Sequence, residues 1–134
     1  MQTVLIIALS LHVLSSVFWA GSSFTLARTG GLGGEKLLIP QIGAATVAIM
    51  TGATLWRLVH EGSFALSEQI LAGGAVAALA AVAVQIIVGG GAIRQLRSDA
   101  GDTSAARSRL AIAQRIAAGL LAITALCMGA ARYA

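Results

Sequence analysis

The chain carries two histidines, one cysteine and three methionines, and the first histidine, His12, lies in a stretch with no charged side chain before Arg28. Beyond it, at helical steps, come Ser15 and Ser16, then Trp19, then Ser22 and Ser23. On a helix this spacing gathers the polar groups on one face. A polar face avoids lipid and turns into a bundle. There a neutral imidazole binds iron or copper through one nitrogen while a serine or a backbone carbonyl holds the other. The plainer alternative is that His12 makes one hydrogen bond across the bundle and the serines bond helix carbonyls.

Residue counting gives His12 its potential companions. His12 is about ten residues in from one membrane surface, and ten residues inward along the second helix from Val59 reaches Met50, which places both roughly 15 Å deep. Cys127 and Met128 approach the same half from the last helix. His12, Met50, Cys127 and Met128 form a soft donor set suited to copper(I), whereas His12 alone or with Met50 suits haem iron. Ser16 and Trp19 would line such a site, and Arg57 would answer a haem propionate. A lone methionine in an apolar helix is more often filler, and Arg57 equally fits a snorkelling side chain. His60 stands at the end of the second helix, displaced from His12 by roughly 15 Å of rise. It is therefore expected at a solvated interface, with a helix cap, an external ion site or a second site with Glu61 or Glu68 as alternatives, and not as a second axial ligand beside His12. No Asp, Glu or Lys falls within an apolar run, which argues against hydrolysis and carboxylate-based proton pumping.

The elements that must position these residues follow from composition. Of 134 residues, 57% are hydrophobic and 10% charged, against about 25% charged in soluble domains, and the mean hydropathy is +0.88. Residues 1–27, 37–56 and 69–93 contain no charge, and 110–131 contains only Arg115. Each run can cross a hydrocarbon core of about 30 Å, and backbone groups in lipid require helices there. The sequence predicts one all-α domain over 1–134, a four-helix up-down-up-down transmembrane bundle with helices at about 3–27, 37–59, 67–95 and 105–132. The first run lacks the basic start of a signal peptide and is read as a retained helix.

The connections hold most of the net charge of +4. Arg28, Lys36, Arg94, Arg97, Arg107 and Arg109, with Arg115, lie at one end, so the positive-inside rule places both termini and the 57–68 turn outside. Basic residues so arranged report orientation and anionic headgroups, and no nucleic-acid partner is expected. Gly30, Gly31, Gly33 and Gly34 read as a flexible turn, and Gly101 with Asp102 as part of the third connection. The third helix is nearly all Ala, Gly, Val and Ile. Its Gly74, Ala78, Ala81, Gln85 and Gly89 fall on one side, expected to pack against another helix or another protein, with Gln85 hydrogen-bonding across the contact.

The segment from His12 through Trp19 to Gly21, ending in Arg28, resembles the first-helix signature of small four-helix bacterial membrane proteins of the CopD-like and HemJ-like group. The resemblance covers about twenty residues and implies copper handling in the first branch, or b-type haem binding with porphyrin-linked oxidation in the second, with His12 as the ligand. The second branch also has a functional lysine in a later helix, whereas Lys36 is the only lysine here and lies in the first connection. The first branch usually has more His or Met ligands than Met50 and Met128 supply.

Two functions follow from the sequence. One is a haem b protein, or less readily a copper protein, of the bacterial cytoplasmic membrane with an electron-transfer or redox role. The other is a cofactor-free accessory subunit that packs against a larger membrane complex through Gly74, Ala78, Ala81 and Gln85. A homo-oligomer fits either function.

Overall fold

A computed structural model of the chain describes residues 1–60, 62, 64–98 and 103–134. The readings placed on Glu61, Gly101 and Asp102 lie outside the described residues. Four helices are long and apolar enough to cross a membrane: α1 (Gln2–Arg28), α2 (Gly34–Val59), α3 (Leu66–Arg97) and α4 (Ser104–Ala131). They run up, down, up and down, so both termini and the α2–α3 link share one end of the bundle, here the terminal end. The glycine turn and the α3–α4 link share the other. Within α3 the α-helix Leu66–Val84 passes through a π-helical turn, Gln85–Gly89, and resumes as Gly90–Arg97.

The expected helix limits hold to within a residue or two except at the start of α2, which begins at Gly34 and not near 37. Hydropathy missed this turn because its polar residues are held by contacts made with α4. Glu35 pairs with Arg107 at 2.7 Å, and Arg107 donates to the Gly31 carbonyl at 3.2 Å. Gly31 has φ of 84°, a left-handed conformation that favours glycine. A Cβ there would also meet the Leu110 side chain at 3.3 Å.

Packing is uneven around the bundle. α1 lies along α2, α3 lies along α4, and α1 and α4 join the two pairs, while α2 meets α3 only sparingly. The core around Trp19 is built from small residues, Ala45, Ala48, Ala78, Ala81 and Ala117, with Leu121. In lipid, where dispersion and close approach replace the hydrophobic effect, such residues let backbones come together. A Cβ on Gly74 would stand 2.9 Å from that of Cys127, and Thr124 donates to the Gly74 carbonyl at 3.0 Å. The face carrying Gly74, Ala78, Ala81 and Gln85 is thus buried inside this chain. Of the two packings expected for this face, against another helix or against another protein, the structure has the first: α4 occupies it, because the fourth helix offers small and hydroxyl residues that fit it.

Candidate functional site

Halfway along the bundle, glutamines from three helices meet three residues of α1, Trp19, Ser22 and Ser23. Gln41, Gln85 and Gln114 are each fully buried. Trp19 Nε1 donates to Gln85 Oε1 at 2.7 Å. The Gln85 amide donates to Ser23 Oγ at 2.9 Å and to Gln114 Oε1 at 3.1 Å. Gln114 donates back to Gln41 Oε1 at 3.1 Å, and Gln41 donates to Ser22 Oγ at 3.0 Å. Ser22 and Ser23 also donate to the Trp19 carbonyl. Every amide is partnered, as burial in a low-dielectric interior demands. The sequence singled out Gln85 and its cross-helix bond. It missed Gln41 and Gln114, although each is a lone glutamine in an apolar run, the same signal that marked Gln85.

On the terminal side of this layer the two helix pairs diverge and flank a half-open cavity of about 720 Å³, within the roughly 300–1,000 Å³ typical of cofactor and ligand sites. Trp19, Ala78 and Leu121 line its deep part; Leu9, His12 and Ser16 of α1 and Ala48, Gly52 and Leu55 of α2 form its walls. Leu71 and Ala75 of α3 and Thr124 and Met128 of α4 face them, and Trp56 and His60 stand near the terminal end.

His12 is fixed by its second helix. Its Nδ1 lies 2.8 Å from the Ala48 carbonyl and 3.2 Å from Thr51 Oγ1. A carbonyl only accepts, so Nδ1 carries the proton, and in the neutral ring Nε2 keeps its lone pair. Nε2 has no hydrogen-bond partner among the described residues, and the ring lines the cavity. The close approach depends on Gly52, where a Cβ would stand 3.1 Å from His12 Cε1. His12 thus makes the expected bond across the bundle through one nitrogen, while the ring also borders the cavity. The serine stripe divides likewise. Ser15 bonds the Leu11 carbonyl, while Ser16 lines the cavity.

His60 departs from the solvated interface expected of it. Its ring is half-buried, stacks on Trp56 with centroids 5.1 Å apart, and lines the same cavity as His12. Its Nε2 is 3.7 Å from Glu68 Oε1, the expected pairing with Glu68, and Ser67 donates to the other oxygen of that carboxylate at 2.9 Å. Its Nδ1 is buried and has no hydrogen-bond partner among the described residues.

The remaining expected site residues do not all converge. Trp19, Ser16 and Met128 join His12 at the cavity. Met50 does not: it is 66% exposed on the outer face of α2. The depth count was sound but the rotation was not, because Met50 is two residues from both Ala48 and Gly52, about 200° around the helix from each. Arg57 lines a separate, smaller pocket with Thr54 and Leu58, away from any occupant of the main cavity. Cys127 packs against Gly74. The soft four-residue set for copper is therefore not assembled, and the described residues contain no group of three His, Cys, Asp or Glu placed to hold a metal ion. No protein family model, no curated protein and no solved structure matches the chain.

Proposed function

We propose that this protein is a small multi-pass protein of the bacterial cytoplasmic membrane that binds haem b in the cavity through His12 and serves in electron transfer or redox chemistry. The observation that carries this reading is the state of the His12 ring: Nδ1 bonded to the Ala48 carbonyl at 2.8 Å, and Nε2 left as a lone-pair donor on a largely apolar cavity of about 720 Å³. A histidine whose far nitrogen is held by a backbone carbonyl has the orientation and basicity that axial ligation of iron uses. The aliphatic and indole walls suit a porphyrin face, and the first-helix motif resembles that of haem- and copper-handling membrane proteins. Haem would supply one-electron chemistry at iron. The chain's own contribution is to orient the ligand, exclude water and hold the ring among apolar side chains.

Copper finds less support, since Met50 and Cys127 are turned away and only His12 and Met128 remain at the cavity. The accessory-subunit reading loses the surface it relied on, which α4 covers. With both termini outside, as the basic residues imply, the cavity lies in the outer half of the membrane.

The test is an absorption spectrum of the full chain purified in mild detergent, oxidised and dithionite-reduced, with metal analysis of the same sample. A Soret band with sharp reduced α and β bands and near-stoichiometric iron is expected, and His12→Ala should lose it while still inserting into the membrane. Undiminished haem in His12→Ala, or no haem uptake by the native chain supplied with haem, refutes the assignment.

A further inference from the structure

We propose that His60 is the anchor for the carboxylate end of the cavity's occupant, the propionates of haem b in the reading above, on which this inference rests. The polar partner expected for that role from sequence, Arg57, faces a different pocket. His60 lines the cavity itself, and its buried Nδ1 has no partner among the described residues. A buried polar nitrogen without a hydrogen bond is unfavourable, and an acceptor delivered by the ligand removes that penalty. Glu68 lies 3.7 Å from the ring's other nitrogen, and Trp56 covers one ring face. In the imidazolium form both nitrogens donate, Nε2 toward Glu68 and Nδ1 toward the ligand. Among the described residues the charged neighbours are thus Glu68 from α3 and, on α2 itself, Arg57 one turn away.

The separation of the two histidines fits this division of labour. His12 packs on Gly52, and His60 stands eight residues farther along α2, a rise of about 12 Å. From an iron on His12 Nε2, a propionate oxygen lies seven bonds away, roughly 8 Å across the ring plane. A hydrogen bond of about 3 Å then closes the distance. A porphyrin whose plane runs along the helices therefore reaches both histidines at once. His12 takes the iron and His60 the carboxylate, which agrees with the two being too far apart to share the iron.

The experiment titrates the full chain in lipid nanodiscs with haem b and with its dimethyl ester, which presents the same iron and ring without free carboxylates, following the Soret band. Because a charge-assisted hydrogen bond is at stake, the native chain should prefer haem b by roughly tenfold, and His60→Phe, which keeps the stack on Trp56, should narrow this to about twofold. Equal affinity of the native chain for the two porphyrins overturns the proposal without recourse to any variant, and so does an undiminished preference in His60→Phe. If His12→Ala binds haem b as the native chain does, the haem reading itself fails and this inference with it. If His12→Ala loses the band while His60→Phe keeps the native preference, only the role of His60 is refuted.

Discussion

Replacing Gln85 by leucine tests whether the buried amide layer holds the bundle together. Gln85 is fully buried and accepts from Trp19 at 2.7 Å while donating to Ser23 and Gln114. The partners are not equally exposed to its loss. Ser23 Oγ still receives Gln41 at 3.3 Å, and Gln114 Oε1 also receives Gln41 at 3.3 Å. Only the Trp19 N–H is left without an acceptor. An orphaned buried donor costs about 1–3 kcal/mol in general, and hydrogen bonds between membrane helices average about 0.6 with an upper range near 1.7 kcal/mol, so Gln85→Leu should cost about 1–2 kcal/mol. Trp19→Phe orphans the opposite member, Gln85 Oε1, at similar cost, whereas the double variant orphans neither. The double-mutant cycle should therefore show a coupling of about 1 kcal/mol. Unfolding in mixed micelles with increasing SDS fraction, followed by far-UV circular dichroism, reads all four corners. Additivity to within about 0.3 kcal/mol would refute the claim that this bond holds α1 to α3.

Two further outcomes follow from the glycine contacts. Gly52→Val places side-chain atoms where even a Cβ stands 3.1 Å from His12 Cε1; it should displace the ring and lower haem binding by at least about tenfold, a loss of 1.4 kcal/mol, with the circular dichroism spectrum retained, whereas Met50→Leu on the outer face should leave the absorption spectrum unchanged. Gly74→Leu meets the Cys127 Cβ at 2.9 Å and should destabilise the isolated chain by about 1–3 kcal/mol in the same micelle assay; native stability in that variant would reopen the α3 face as a partner surface.

The architecture was legible from the sequence because each run had to satisfy its own backbone in lipid, and four charge-free or nearly charge-free runs leave only a helical bundle. The burial of Trp19 and Gln85 was also legible, since polar or amphipathic groups at membrane depth turn inward. What escaped was rotation. Met50 has the right depth and the wrong azimuth, and an apolar helix carries no amphipathic pattern from which to read one: Ala48, Gly52 and Met50 are all acceptable to lipid. The inward face of α2 is marked by Ala45, Ala48 and Gly52, a stripe of small residues, and by Gln41 on the same side. His60 escaped for a related reason. Whether the terminal end of α2 is packed or solvated depends on α3, whose Glu68 is buried against it, and no local pattern encodes that.

The cavity's position follows from how the glutamine layer shares work with the small residues. Lipid offers no hydrophobic gain for closing two apolar helices on each other, so helices stay together only where packing or hydrogen bonds hold them. α3 and α4 are held along their length by Gly74, Thr124 and the alanines, and α1 and α2 by His12, Ser23 and Gln41. Between α2 and α3 the bridging side chains are the glutamines, which meet through Gln114 at one depth. Toward the glycine-turn end, Leu38, Ala92, Ile93 and Leu110 fill the space. Toward the terminal end no comparable tie among the described residues joins α2 to α3 until His60 meets Glu68 at 3.7 Å. The stretch between these two ties is where the helices can part without leaving any backbone or amide group unsatisfied. It is also where His12 carries a nitrogen with no partner. A chain selected only for a closed bundle would have little use for Gly52, whose missing side chain lets an imidazole sit beside α2 and turn its second nitrogen to open space.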